Sequence, residues 1–94
     1  MKVRWTRRST VALTAIRSHI DKDDPVAAQA LWVRVRSYVN TKLVDHPMIG
    51  RPGRVEGTRE SVVHRNYIVV YRVAEDTIEI VTVRHAAQEW PDQF

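Results

Sequence analysis

The residues best equipped for chemistry in this chain are arginines and histidines, and most of them lie in its second half. Between Gly50 and Arg72 stand Arg51, Arg54, Arg59, Arg65 and Arg72, against only two acids, Glu56 and Glu60. A guanidinium is a planar, permanently charged fork of donors, so such a stretch suits a polyanion or an acidic peptide, or simply makes a solvated basic surface. His64 and His85 each close a β-rich run. His85 follows Arg84 and could donate or accept a proton near neutral pH, although a lone strand-end histidine more often serves structure or binding. Acid–base chemistry at an anionic centre needs a base, an acid and cations for the developing charge. Arg51, Arg54, Arg59 and His85 are the set that could supply them.

Several chemistries are excluded or unsupported. The chain has no cysteine, so disulfides, thiolate metal sites and a cysteine nucleophile are ruled out. Its four histidines are scattered without ligand-like spacing; no metal site and no cofactor are expected. His19 and His46 read as a helix-surface residue and a pre-proline spacer. No glycine-rich phosphate loop, paired catalytic carboxylates or Ser/His/Asp arrangement is visible, which leaves a thin case for an enzyme. No apolar run approaches a membrane span, and Lys2–Arg8 is not followed by a signal-peptide core, so a cytoplasmic protein is expected.

The elements that must position these side chains follow from periodicity. With 94 residues, 44% hydrophobic and 28% charged, the chain reads as one globular domain spanning 1–94, with a formal charge of +4 and twelve arginines among its fifteen basic residues. Val3 and Trp5 alternate with basic residues in a short strand over Lys2–Thr6. Ser9 or Thr10 then caps a helix carrying Leu13, Ile16 and Ile20 on one face. Asp24-Pro25 opens a second helix of about five turns, with Ala28, Leu31, Val35, Tyr38 or Val39, and Lys42 or Leu43 on its apolar face. Trp32 is expected to be partly exposed beside Leu31. The short link makes the pair an antiparallel hairpin. His46-Pro47 ends it, and Gly50–Arg54 reads as an exposed basic loop. Three strands follow, Thr58–His64, Tyr67–Val73 and Thr77–Val83, joined by links of two and three residues into an antiparallel meander. The middle strand is apolar on both faces except at Arg72, as a central strand is. The expected fold class is α+β: β-α-α-β-β-β, a helical hairpin on a small, mainly antiparallel four-stranded sheet.

Within this frame lie Asp24-Pro25-x-Ala27-Ala28, then Leu43-x-x-His46-Pro47-x-x-Gly50-Arg51-x-Gly53-Arg54 and Gly57-Thr58-Arg59-Glu60. After them come Tyr67-Ile68-Val69-Val70-Tyr71-Arg72-Val73 and Val83-x-His85-Ala86-x-x-x-Trp90-Pro91. In this order and spacing the chain resembles the RelE/ParE toxin superfamily, nearest its ParE-like branch. One departure is Ala12-Leu13 in the first helix, where relatives often carry an acid before the leucine. The resemblance implies the toxin of a type II toxin–antitoxin system, paired in a hetero-oligomer with a cognate antitoxin. ParE-like toxins are associated with poisoning DNA gyrase, whereas RelE-like toxins cut mRNA at the ribosome. RelE-like nucleases resemble one another in an arginine at the position that Ile68 holds here, and isoleucine neither carries charge nor moves a proton. The gyrase reading is therefore preferred, with the ribosome-dependent nuclease and a non-toxic, antitoxin-binding remnant as alternatives. Arg51, Arg54, Arg59, His64, Arg72, Arg84, His85 and Trp90 are the candidate contacts to target or antitoxin. For Arg59 a salt bridge is as expected as an anion contact. His64 and His85 could pair across the sheet. Trp90 packs on the domain by default, or is covered by a partner.

Overall fold

Thr6 sets the first junction of the fold. β1 (Lys2–Trp5) ends there and α1 (Arg7–Asp21) begins. Thr6 Oγ1 accepts the Ser9 N–H at 3.1 Å and donates to Ile80 O at 2.7 Å, so one hydroxyl caps the helix and ties it to a neighbouring strand. The cap is thus Thr6 rather than Ser9 or Thr10. Ser9 is buried inside the first turn, where its Oγ donates to Thr6 O at 2.7 Å. The computed structural model describes all residues 1–94.

α2 (Pro25–Tyr38) starts as its sequence dictates: Asp24 Oδ1 accepts the Ala27 N–H at 3.0 Å, and Pro25 takes the first helical position, where no N–H is missed. Its buried face is Ala28, Leu31 and Val35, continued by Val39 and Leu43 through a wider, π-type turn over Val39–Leu43. Residues four apart drift about 40° around an ideal α-helix, because 3.6 residues complete a turn. A wider turn takes up that drift, and Leu31, Val35, Val39 and Leu43 all reach the core.

The strands β2 (Arg51–Pro52), β3 (Arg59–His64), β4 (Tyr67–Ala74) and β5 (Thr77–His85) join β1 in a five-stranded sheet of order β1-β5-β4-β3-β2. β1 lies parallel to β5 and the rest is antiparallel, with β4 central. The fifth strand is β2, two residues of the stretch expected to be loop, where Arg51 pairs with Glu60 and Pro52 with Arg59. It is an edge strand, so proline costs no ladder bond that a neighbour would need. The β4–β5 link is also tighter than expected. Ala74 pairs with Thr77, leaving only Glu75 and Asp76 in the turn, with Glu75 at φ 53°.

Each face of β4 builds its own core. Tyr67, Val69, Tyr71 and Val73 meet the helices together with Leu13, Ile78, Ile80 and Val83. Ile68 and Val70 lie on the opposite face with Val81, and the hydrophobic residues packed on them are Trp90 and Phe94 of the C-terminal tail. A bulge in β5 makes this possible: Val70 pairs with Thr82 but Tyr71 with Ile80, so Val81 is an extra residue.

The turn before β2 is fastened by a fully buried tyrosine. Tyr71 Oη donates to Pro47 O at 2.8 Å and accepts the Gly50 N–H at 2.9 Å. A Cβ on Gly50 would sit 2.6 Å from that hydroxyl and 2.8 Å from Glu60 O, so only glycine allows the approach. Gly50→Ala is expected to cost about 1–3 kcal/mol by overpacking. Tyr71→Phe, which leaves both backbone groups unpaired, is expected to cost about 1–3 kcal/mol. Urea denaturation of the two variants beside the parent chain checks both.

Candidate functional site

Glu60 is the one acid whose side chain is wholly shielded from solvent, and it lies on the sheet face away from the helices, beside Val70. A buried carboxylate survives folding only if its lone pairs find donors. Arg54 N–H gives it one at 2.6 Å and Arg51 Nη2 another at 3.1 Å, while Arg54 Nε stands 3.5 Å away. The loop between β2 and β3 therefore folds around this carboxylate. Gly53 N–H donates to Thr58 O at 2.7 Å, and a Cβ on Gly53 would meet Thr58 Oγ1 at 2.1 Å, which accounts for the second glycine of the stretch. Both arginines keep their outer surfaces in water, with 58% and 43% of their side chains exposed.

From this anchor the Arg54 guanidinium extends over the Trp90 ring, 4.0 Å from its centroid, and Arg84 approaches the same ring at 5.4 Å. Arg84 also stands 5.9 Å from the Phe94 ring, Arg8 stands 5.5 Å from it, and Arg84 Nη2 donates to Glu89 O. Arginine faces on aromatic rings gain cation–π attraction while their edges remain free to donate. The row beside them holds Arg72 and Arg4, both directed at Glu79. The result is a sheet face bearing six arginines against two glutamates, with an apolar floor of Ile68, Val70 and Val81 under the tail. It can engage an anionic or acidic surface at several points at once.

Five of the eight expected contact residues meet on this face: Arg51, Arg54, Arg72, Arg84 and Trp90. Three do not. Arg59 is opposite Tyr71 on the helix side, where its Nη2 donates to Gly50 O at 2.5 Å and Met48 O at 3.1 Å; it pairs with no acid. His64 and His85 flank Tyr67, at ring distances of 6.0 and 5.2 Å, so a tyrosine stands between the two histidines and the pairing open to them is not made. His85 Nδ1 accepts the Ala87 N–H at 3.0 Å and helps turn the tail. Trp90 packs on its own domain. Three participants carried little sequence signal. Glu60 is a single acid in a strand of ordinary pattern, and Arg8 is distant in sequence from the Phe94 ring that it approaches. The four-residue spacing of Trp90 and Phe94 was the one available clue.

The set Arg51, Arg54, Arg59 and His85 is not gathered at one point. Arg51 and Arg54 are on one face and Arg59 and His85 on the other. Their β4 partners Tyr71 and Tyr67 are four residues apart, about 13 Å along a strand. No group of three or more His, Cys, Asp or Glu side chains is placed to hold a metal ion.

Comparison with known proteins matches residues 3–90 to the model of the ParE toxin of type II toxin–antitoxin system, parDE. The putative toxin Y4kP of Sinorhizobium fredii is 44% identical over 91 residues, covering 96% of this chain and 93% of that protein. Toxin RelE2 of Caulobacter vibrioides is 38% identical over 87 residues, covering 93% of this chain and 97% of that protein. A solved structure, described as the chromosomal ParDE TA system from P. aeruginosa, superposes with a TM-score of 0.79 at 26% identity, over 90% of this chain and 95% of that one.

Glu60→Ala removes the acceptor of Arg54 N–H and is expected to cost about 1.5–3 kcal/mol, the range for hydrogen bonds to charged groups. Arg51→Ala, which loses a half-exposed ion pair, is expected to cost less than about 1 kcal/mol. Thermal denaturation of the two variants measures the difference, and equal costs would contradict a carboxylate held mainly by the loop backbone.

Proposed function

Because this chain belongs to the ParE toxin family of type II toxin–antitoxin systems, we propose that it arrests growth by binding DNA gyrase through its arginine-lined sheet face and is neutralised by a cognate antitoxin. The observation that carries this reading is the division of labour among its cations. Those that would have to converge on a scissile phosphate lie on two faces of the sheet, while those around Trp90 form one continuous surface. Ile68 is 3% exposed in the floor of that surface, and the resemblance to RelE-like nucleases implies an arginine at its position in them. Phosphoryl transfer demands donors preorganised on one developing charge, and binding does not. A face of forked donors around an aromatic anchor has the composition of an interface hot spot.

The proposed action is stoichiometric rather than enzymatic, and its setting is the cytoplasm, where gyrase works; no helix of the chain is long and apolar enough to cross a membrane. Stabilising a plasmid or a chromosomal segment is the role such a pair would serve. A second reading, cleavage of ribosome-bound mRNA, draws support from the name of the RelE2 relative. In that case Arg84 and His85, adjacent at the end of β5, would have to act from opposite faces of the strand.

Adding the purified protein to a gyrase supercoiling reaction is expected to abolish supercoiling or accumulate cleaved DNA, and Arg54→Gln/Arg84→Gln is expected to weaken the effect at least tenfold. Unaffected supercoiling, together with new 5′ ends in primer extension on ribosome-bound message that His85→Ala removes, would favour the second reading.

A further inference from the structure

Of the six arginines on the far face of the sheet, four are neutralised by acids. Arg51 and Arg54 face Glu60, and Arg4 and Arg72 face Glu79. Arg8 and Arg84 pair with no carboxylate, and neither does Arg7 beside them. These three guanidiniums border one recess of about 720 Å³ between the start of α1 and the tail, and no aspartate or glutamate lines it. Three like charges around an acid-free recess repel one another, and an anion seated among them relieves that repulsion.

Polar groups without partners point the same way. The Arg84 Nε–H is buried with no acceptor. Thr82, 3% exposed, also lines the recess, and its hydroxyl has only a 3.5 Å contact with Val83 O. At the start of α1 the Thr6 hydroxyl takes the Ser9 N–H, which leaves the N–H groups of Arg7 and Arg8 without an acceptor. No acid stands in that first turn to answer the helix dipole. A phosphate here would accept from the helix backbone, from guanidinium forks and from a hydroxyl.

The other half of the recess is apolar. Val11, Pro91 and Phe94 form its wall, with the Phe94 ring 5.5 Å from the Arg8 guanidinium and 5.9 Å from that of Arg84. Inorganic phosphate would leave this wall in water, whereas a nucleobase has a flat π-face to lay against it. We propose that the recess binds a nucleotide through its terminal phosphates, with the base against Val11, Pro91 and Phe94. Three guanidiniums at one point match the two or more negative charges of a phosphomonoester or polyphosphate. A diester backbone carries one charge per phosphate and is better matched by cations spaced along a track. The size agrees, since small-ligand sites are typically about 300–1,000 Å³.

Binding is read on the purified chain alone, by isothermal titration with ATP, UTP, adenosine and inorganic triphosphate. Arg7, Arg8 and Val11 are exposed, so Arg7→Gln/Arg8→Gln and Val11→Asp are expected to melt with the parent. Both variants spare Arg54 and Arg84, so failure here is distinct from failure of the gyrase reading. ATP or UTP is expected to bind at least tenfold more tightly than adenosine or inorganic triphosphate, and each variant to weaken that binding at least tenfold. Absence of binding by either nucleotide, or affinity unchanged in Arg7→Gln/Arg8→Gln, would overturn the site. Inorganic triphosphate binding as tightly as the nucleotides, or affinity unchanged in Val11→Asp, would overturn the seat for the base. A single-stranded oligonucleotide without terminal phosphates that displaces ATP at equal nucleotide concentration would assign the cations to a nucleic-acid backbone instead.

Discussion

A carboxylate cannot be buried beside valines unless donors are brought to it, and the far face of this sheet is organised by that requirement at Glu60. The backbone of Arg54 and the side chain of Arg51 turn inward to satisfy it, so the Gly50–Arg59 segment is folded around the carboxylate. Once Arg54 is held, its guanidinium becomes a platform for Trp90, and Trp90 with Phe94 closes the apolar patch that β4 would otherwise expose. Loop, tail and sheet face thus depend on one acid. Its hydrogen bonds matter more here than its ion pairs, because both arginines are half in water, where such pairs contribute little.

How much of this was legible in the sequence varied with the range of the interactions. Asp24-Pro25 announces α2 because capping is local. The alternation in Tyr67–Val73 announces a strand buried on both sides because pleating is local too. The two-residue link Arg65-Asn66 fixes a hairpin for the same reason. Thr6 was not legible as the cap. Its advantage over Ser9 lies in reaching Ile80 O, seventy-four residues away in the chain. β2 escaped notice because a two-residue edge strand has no periodicity to show, and Pro52 argues against a strand everywhere except at an edge. The candidate site was half legible. Residue types pointed to arginines and Trp90, but which face each occupies depends on register and on the β5 bulge, neither of which composition reveals.

The resemblance to known toxins carried the family, and the geometry gives physical meaning to its signature residues. Gly50 is glycine because Tyr71 Oη and Glu60 O leave no room for a Cβ, and Gly53 because Thr58 does not. Arg59 pins the carbonyls of the preceding turn, and Glu60 holds the following loop. Much of what looks like a basic functional motif between Gly50 and Glu60 is thus structural. The groups left exposed on that face are the outer edges of the guanidiniums that pack on Trp90.

The central claim is that the arginine-lined sheet face is the surface through which this chain acts. Growth after induction of the parent chain and of Arg54→Gln/Arg84→Gln, with cellular abundance matched by immunoblot, tests it most directly. Arrest by the parent and growth with the variant are expected. Equal arrest by both at equal abundance, or unimpeded growth with the parent, would contradict it.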